Sequence, residues 1–277
     1  MAEKIIALRE RQLVTVHGDD AATFLQGIVT VDIPALRQDT ASYCGLLTPQ
    51  GKILFDFLIA AEPDGFLIDC AASQRSDLVK RLGIYKLRAR VTISPDETRA
   101  VHVMLAPATG GLGDGRSPDM GRRLYAPAVE GAAEQTSDYH ARRVALGLGE
   151  GGHDFEPGQL FPHEANFDGL DAVSFTKGCF VGQEVVSRME HRGTARSRIV
   201  PADVEGDAPP RDTPVEAGKT AIGRVLSAAG GKVLLLARLD RLMEAQGQPV
   251  TAAGRRLHPY RPGWAQFEMP ASAREKA

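Results

Sequence analysis

One short segment of the chain brings together the side chains best suited to chemistry: residues 177–184, which read KGCFVGQE. Cys179 stands two positions after Lys177 and shortly before a stretch of helical composition that begins near Gly182. A helix N-terminus carries partial positive charge and a lysine carries a full one, and both stabilise a thiolate relative to a thiol. We therefore predict that Cys179 is a reactive thiol and that Lys177 holds its thiolate.

The other residues of this octet (residues 177–184) suit a turn that binds a ligand or a partner. Gly178 and Gly182 leave the backbone open to close approach by another molecule. Gln183 and Glu184 are able to satisfy free amides in the first turn of the helix. The alternative is a buried structural cysteine in a tight turn, since most free cysteines behave as small apolar side chains. The residues alone leave both interpretations open.

The remaining metal-binding residue types do not form a metal motif. His163 and Glu164 begin a zinc-protease pattern, but Phe167 occupies the position of its second histidine. The three cysteines are too widely spaced for a disulfide framework or a metal knuckle. Cys44 and Cys70 lie in strand-like runs, which is typical of core residues. We expect no metal site.

The composition is that of an ordinary globular protein of 277 residues, 43% hydrophobic and 25% charged. Lys and Arg total 33 and Asp and Glu total 35, and the resulting net charge of −2 does not indicate a nucleic-acid-binding surface. No apolar run approaches the length of a membrane-spanning helix. Residues 1–6 lack the apolar stretch of a secretory signal. We expect a cytoplasmic protein with no direct nucleic-acid partner and no membrane partner.

The elements that must position Cys179 belong to an α+β chain, because strands and helices do not alternate regularly. Residues 172–175 (AVSF) are predicted to form an apolar strand that leads into the octet. A long irregular stretch over residues 153–176 precedes the octet, and such stretches are usually functional. After Gly193, short strands and Pro- and Gly-rich turns predict a small β-barrel. We place the domain boundary between residues 195 and 196.

Several motifs resemble those of the YgfZ family of folate-binding proteins. The octet resembles the family's K-G-C-[YF]-x-G-Q-E signature, and residues 26–32 resemble its N-terminal Q-G-x-x-T-x-D. Residues 47–52 resemble its first hairpin turn, and residues 161–166 resemble its approach to the cysteine motif. The family includes mitochondrial iron–sulfur maturation factors and is similar in fold to the glycine-cleavage T-protein.

This resemblance implies an α+β, T-protein-like three-part cloverleaf around a central channel. Residues 1–195 would be a folate-binding region of two interleaved subdomains, and residues 196–277 a C-terminal β-barrel. The implied ligand is tetrahydrofolate or a derivative, and the implied partners are iron–sulfur client or assembly proteins. The implied role is folate-dependent assembly or repair of iron–sulfur proteins, which indirectly supports tRNA modification. The implied folate-binding residues are Gly178, Phe180, Gly182, Gln183, Glu184, Asn166 and Asp32.

Two alternatives remain open, an aminomethyltransferase and a non-catalytic scaffold. By resemblance to the T-protein, tetrahydrofolate-dependent aminomethyl transfer needs an acidic pair after the first hairpin and a glutamate near a later helix. Those positions hold Leu54, Phe55 and Ala145 here, and strand alternation turns Asp56 to the face opposite Phe55. In the scaffold, the octet only builds a turn. We expect a protein that is not a conventional enzyme.

Overall fold

The computed structural model describes residues 4–105, 108–193 and 195–270. Within these ranges the strands are β1 (Ile5–Ala7), β2 (Arg11–His17), β3 (Thr40–Leu47), β4 (Ile53–Glu62), β5 (Gly65–Ala71), β6 (Thr92–Asp96), β7 (Ala100–Met104), β8 (Leu112–Asp114), β9 (Arg122–Ala126), β10 (Ser197–Val204), β11 (Pro214–Ala217), β12 (Thr220–Ala229), β13 (Lys232–Arg238), β14 (Val250–Ala252) and β15 (Arg255–Pro259). The helices are α1 (Ala21–Gln26), α2 (Arg75–Lys86), α3 (Ser137–Ala145), α4 (Gln183–Arg192) and α5 (Leu239–Glu244).

In the part of the chain that the structure describes, nine strands form one sheet in the order β1-β7-β9-β8-β3-β4-β5-β2-β6. The central strand β4 is apolar on both faces because a core lies on each side of it. Leu58 and Ala60 pack in one core, and Phe57 and Ile59 pack in the other. The β3–β4 hairpin is therefore held from both sides, and its turn can serve as a firm support for other segments.

The C-terminal barrel closes in the order β10-β13-β12-β11-β14-β15, counted over the described residues. Its interior is a third apolar core that includes Val200, Val225 and Leu235, and α5 adds Leu242. The prediction of an α+β chain with a small C-terminal β-barrel is confirmed. The domain boundary after residue 195 and the interleaved subdomains stay predictions, and residues 1–3, 106–107, 194 and 271–277 lie outside the described residues.

Helix α3 joins the sheet to the barrel. Its Tyr139 and Val144 belong to the first core, while the helix also lies against β12 and β13. Near the end of the described chain, the Trp264 indole donates to the carbonyl of Leu146 at 2.8 Å and the Tyr260 hydroxyl donates to that of Ala145 at 2.7 Å. The segment that follows α3 is thus fixed at its start.

Between α3 and α4, residues 146–182 contain no helix or strand, which fits the predicted irregular stretch. The predicted strand over residues 172–175 is wrong. Ala172 is buried, but its backbone N–H donates to the carbonyl of Phe167 at 2.9 Å rather than to a neighbouring strand. An apolar run reports burial, and here burial is reached by packing an irregular segment against the sheet.

Candidate functional site: the cysteine loop

The three cysteines, all within the described residues, differ in exposure. Cys44 and Cys70 are buried, and Cys179 is exposed. Burial raises the pKa of the Cys44 thiol well above its usual value and that of Cys70 to about 12. Because the thiolate is the nucleophile and the metal ligand, these two thiols are unsuited to chemistry. The exposure of Cys179 does not fit the alternative of a buried structural cysteine.

Lys177 fastens the cysteine loop (residues 172–182) to an earlier part of the chain. Its ammonium donates to the carbonyl of Val29 at 2.8 Å and to that of Val31 at 2.6 Å, and it lies 5.3 Å from the centre of the Phe180 ring. The side chain is 6% exposed, and burial lowers its pKa to about 8. The hydrogen-bond acceptors of Lys177 are therefore carbonyls, and its predicted role toward the Cys179 sulfur stays a prediction.

Thr30 is a second anchor, which the sequence analysis missed. Its hydroxyl donates to the carbonyl of Ala172 at 2.6 Å and accepts from the N–H of Gly45 at 2.9 Å. Its own carbonyl accepts from the N–H of Ser174 at 2.9 Å. The signal in the sequence was a polar residue between Val29 and Val31, within the motif at residues 26–32. The structure shows that this residue is fully buried.

Asp32 helps to fix the conformation of residues 29–32, to which the cysteine loop is anchored. The side-chain amide of Gln26 donates to Asp32 at 2.7 Å, and the N–H of Ile33 donates to the Gln26 carbonyl oxygen at 2.8 Å. Residues 29–32, which we call the seat, are thus held in place by their own motif. The structure places Asp32 beside the cysteine loop's anchor, and its role in folate binding stays a prediction.

The glycines of the octet meet different surroundings. Gly182 has φ +83°, and a Cβ there would stand 2.6 Å from the carbonyl oxygen of Thr48 and 3.0 Å from the Cα of Gly51. The β3–β4 hairpin turn therefore packs directly on the octet, which brings two of the sequence motifs together. Gly178 has open space where a Cβ would be. Close packing explains the glycine at position 182, whereas no steric contact requires a glycine at position 178.

The rest of the octet forms the start of α4. Phe180 is buried, and its carbonyl accepts from the N–H of Gln183 at 3.2 Å. Glu184 pairs with Arg188 at 2.9 Å on the helix surface. Neither Gln183 nor Glu184 is placed as the predicted cap, because the N-cap is Gly182 and no side chain caps this end within the described residues. Their predicted roles in folate binding remain untested.

Asn166 ties the approach segment to the barrel. It is fully buried with φ +64°, and its side-chain N–H donates to the carbonyl of Ile199 at 2.8 Å. Its side-chain oxygen is buried and has no hydrogen-bond partner among the described residues. The contact with Ile199 assigns Asn166 a structural role, and its predicted role in a ligand pocket stays a prediction.

A small group of metal-ligand residue types lies behind the loop. His163, Asp168 and Glu190 place ligand atoms within 4.8 Å of one another. Each carboxylate already has a partner: Glu190 bonds to His163 at 2.9 Å, and Asp168 accepts two bonds from Arg198, at 2.5 and 2.8 Å. A bidentate arginine neutralises the carboxylate that a cation would need. This group carries no metal assignment, and the expectation of no metal site stays a prediction.

The sequence analysis also missed a buried network of charged and phenolic side chains. Burial would raise the pKa of Glu150, but Arg116, Arg143 and Arg11 hold it well below its usual value. The available signal was a set of ionisable residues inside apolar strands, such as Asp69 between Ile68 and Cys70. The network consists of Arg11, Asp69, Asp114, Arg116, Arg123, Tyr139, Arg143, Glu150 and Asp154.

A cavity of about 250 Å³ opens beside this network. Its walls include Arg11, Ser73, Glu150 and Gly152. Nearby, the side-chain oxygen of Gln74 is buried and lacks a partner in the described part of the chain. A Cβ at Gly152 would come within 3.1 Å of the Gln74 amide nitrogen. The cavity thus has charged walls, and Gln74 lies behind Gly152 and not among the lining residues.

The positions that aminomethyl transfer would need are occupied by other interactions. Phe55 is buried in the second core. The Asp56 carboxylate accepts from the Tyr43 hydroxyl and from the N–H of Gly151, both at 2.9 Å, and burial raises its pKa. Ala145 ends α3 and offers no carboxylate. The positions that the sequence analysis aligned with the carboxylates of aminomethyl transfer therefore do not supply them.

Comparison with solved structures identifies the fold. The chain is similar to the crystal structure of the glycine cleavage system aminomethyltransferase T from Bartonella henselae, with a TM-score of 0.78 over 98% of this chain and 88% of that chain. The two sequences are 15% identical, so the likeness concerns the fold alone. The predicted T-protein-like fold is confirmed. No helix among the described residues is long and apolar enough to cross a membrane.

Comparison with known sequences identifies relatives. Residues 196–267 match the family described as CAF17, C-terminal beta-barrel domain. The chain is 34% identical over 245 residues to the iron-sulfur cluster assembly factor IBA57 homolog, mitochondrial, of Neurospora crassa, which covers 75% of this chain and 56% of that protein. The mouse IBA57 protein, also named mitochondrial, is 34% identical over 235 residues, 72% of this chain and 66% of that protein.

These relatives correct the expected cellular location and refine the expected family. The predicted cytoplasmic location is wrong, because the Neurospora, mouse and human relatives are all named mitochondrial. That expectation had rested on the composition of the first residues alone. The relatives bear the name IBA57 and not YgfZ. The human IBA57 protein is 32% identical over 258 residues, which cover 80% of this chain and 71% of that protein. The chain therefore belongs to the IBA57 family of iron–sulfur cluster assembly factors.

Proposed function

We propose that this protein acts in the assembly or repair of iron–sulfur proteins and that Cys179 is the thiol that engages the cluster. The relatives' names support the first part. The observation that carries the second is an exposed Cys179 on an anchored loop, in a chain whose other two cysteines are buried. A loop held by Thr30 and Lys177 presents the sulfur in a defined place instead of a range of positions.

The cluster is cargo in this proposal. Iron–sulfur clusters are usually held by several thiolates, and this chain offers one accessible thiol, so a partner protein or a small thiol supplies the remaining ligands. Cys179 is exposed, and the neighbouring Gly178 has open space where a Cβ would stand, so another molecule is able to approach this part of the loop. Lys177, Thr30 and the β3–β4 turn hold the loop while the ligands exchange. The chain itself contributes one ligand and its orientation.

Folate binding, the property of the YgfZ family, is the finer part of the proposal. The cavity beside Glu150 is the proposed place for the polar edge of a pterin, because its walls offer the Arg11 guanidinium and the Ser73 hydroxyl as donors and the Glu150 carboxylate as an acceptor. When bound, tetrahydrofolate supplies one-carbon and reducing chemistry. Arg11, Ser73 and Glu150 would hold it, and Gly152 keeps the cavity wall free of a side chain.

The effect on tRNA modification follows indirectly. Some enzymes that modify tRNA carry iron–sulfur clusters, so a failure to assemble or repair clusters lowers their activity. We propose no direct contact with tRNA, since the chain has a net charge of −2.

The cysteine part is tested by replacing Cys179 with Ala in a strain that lacks the gene. We expect this variant to restore iron–sulfur enzyme activities and cluster-dependent tRNA modification poorly, and Cys70→Ala to restore them fully. Full rescue by Cys179→Ala would remove the thiol from the mechanism.

In the purified protein, Cys179 should be alkylated faster than a free thiol at neutral pH. An equal or slower rate would favour the scaffold alternative.

The folate part is tested by titrating the purified chain with tetrahydrofolate and following the heat of binding. Glu150→Gln and Ser73→Ala should each weaken binding about tenfold, which corresponds to one lost hydrogen bond with its buried partner. Lys219→Glu, on the barrel surface, serves as the control. If the wild-type chain does not bind, or if the two cavity variants bind as it does, the cavity is not the folate site.

A further inference from the structure

The turn that follows α2 carries a residue that its backbone does not favour. The N–H of Ala89 donates to the carbonyl of Lys86 at 2.8 Å and closes a four-residue turn. Leu87, the first central residue, has φ +46° and ψ −107°. These angles belong to the first central position of a type II′ turn, where glycine is the usual residue. A leucine there is strained.

Packing does not compensate for this strain. Leu87 is 87% exposed, and Ile84, one turn earlier on the helix, is 63% exposed. These are the two most exposed large apolar side chains of the described residues. A side chain that strains the backbone and is not buried indicates a contact with another molecule.

The segment that carries the turn is basic, although the chain as a whole has a net charge of −2. Residues 78–95 include no Asp or Glu. Lys80 pairs with Asp77, and Arg90 pairs with Asp19 and Asp20. Within the described ranges, the cations of this segment without an ion pair are Arg81, Lys86 and Arg88. An apolar tip ringed by free cations is complementary to an anionic surface with an apolar interior.

We propose that the Leu87 tip, defined as Arg81, Ile84, Lys86, Leu87 and Arg88, is a peripheral docking site for an anionic lipid surface. Ile84 and Leu87 enter the interface of the bilayer, and the three cations meet the headgroups. This is the arrangement by which surface-bound proteins combine shallow apolar insertion with electrostatic attraction. It does not depend on the proposed iron–sulfur role.

An acidic protein is the other class of partner with matching charge, and two observations favour lipid. Protein interfaces bury roughly 800 Å² on each side around an apolar centre, whereas this tip has two aliphatic side chains on a convex turn. Protein interfaces also use mixed charges to fix orientation, and residues 78–95 carry cations alone. The expectation of no membrane partner rested on the lack of a spanning segment, which shallow docking does not require.

The test is sedimentation of the full chain with vesicles of phosphatidylcholine, with and without cardiolipin. We expect the wild-type chain to sediment with the cardiolipin vesicles only, and less so as salt is raised, because headgroup attraction is screened. Arg81→Glu with Arg88→Glu should abolish the association. Met243→Ser, another exposed apolar residue, and Lys219→Glu should leave it unchanged.

Leu87→Gly separates docking from folding. Glycine relieves the turn, so the melting temperature should stay the same or rise, while vesicle partitioning falls about tenfold through loss of one inserted aliphatic side chain. Failure of the wild type to bind cardiolipin vesicles would overturn the proposal. So would wild-type binding by Leu87→Gly, or binding to soluble polyglutamate without binding to vesicles, which would assign the tip to an acidic protein.

Discussion

Gly178 and Gly182 stand four positions apart in the octet but meet opposite steric demands. At Gly182 the backbone is left-handed and a Cβ would stand 2.6 Å from the Thr48 carbonyl oxygen, whereas at Gly178 the space is open. We predict that Gly182→Ala lowers the free energy of unfolding by about 2 kcal/mol and that Gly178→Ala changes it little. Urea denaturation of both variants measures this, and equal losses would contradict the packing described here.

Lys177 gives a pH-dependent prediction. Its pKa is about 8 in the folded protein and about 10.4 in an unfolded chain. Between these values the unfolded chain binds a proton that the folded chain does not, so stability rises with pH across this interval. In the Lys177→Met variant, the increase of the free energy of unfolding with pH should be absent. Urea denaturation from about pH 7 to pH 10 compares the two proteins, and parallel pH profiles would contradict the buried environment of Lys177.

At the scale of single residues, the sequence located the thiol but not its supports. Cys179 stands out because a cysteine, a lysine and two glycines share one octet. Thr30 is 142 positions away from Ala172, to which it bonds, and no local pattern specifies such a partner. The acceptors of Lys177 are backbone carbonyls, which carry no residue signature. Long-range hydrogen bonds therefore account for most of what the sequence analysis missed.

At the scale of elements, the cysteine loop depends on the seat for its conformation, because it forms no helix or strand of its own. We predict that Thr30→Val, which keeps the shape and removes the hydroxyl, leaves the Gly45 N–H and the Ala172 carbonyl unpaired. This should lower the free energy of unfolding by about 2 kcal/mol and speed amide hydrogen exchange over residues 172–181. Thr92→Val, on exposed β6, is the control. Unchanged exchange in the loop would contradict its dependence on Thr30.

The elements themselves were predicted unevenly. Short strands separated by Pro and Gly turns indicated the barrel, because closely spaced turns leave room for little else. The predicted strand at residues 172–175 was wrong because alternation and apolar content report burial without saying which backbone supplies the hydrogen bonds. The Leu87 turn could not be foreseen either, since glycine marks such turns and leucine does not.

At the scale of the whole molecule, a buried ion pair between Arg143 and Asp154 links α3 to the segment that follows it. Burial would raise the pKa of Asp154, but Arg143 lowers it to about 2. The stability from this pair is present above the unfolded pKa of about 3.9 and is lost as the pH falls toward 2. We predict that Asp154→Asn loses about 3 kcal/mol at neutral pH and that its difference from the wild type narrows on acidification.

The matched control is Asp240→Asn. A hydrogen bond from Arg238 also lowers the pKa of Asp240 to about 2, but this pair is partly exposed and should contribute about 0.5 kcal/mol. Urea denaturation of both variants between pH 2 and 7 gives the comparison. Equal losses at neutral pH would show that burial of the Arg143–Asp154 pair does not matter.

The overall architecture could be predicted mainly through resemblance, since composition and periodicity indicated only an α+β chain with a barrel. The buried charged network was not foreseen, because its members come from β2, β5, β8, β9, α3 and the segments after β8 and α3, and meet only after the sheet forms. Pairing among distant charges is a property of the folded topology. The same holds for the cavity beside Glu150, whose walls come from three separate segments.

The order of the segments along the chain determines when the cysteine loop can be anchored during synthesis. The seat and the β3–β4 hairpin lie within the first quarter of the sequence, so they leave the ribosome long before residues 172–182 are made. Nascent chains generally fold from the N-terminal side. Cys179 therefore emerges onto a surface that already exists, and its loop is able to bind there before Trp264 reaches the Leu146 carbonyl. In a newly made chain, the loop that carries Cys179 therefore stays unanchored for only a short time.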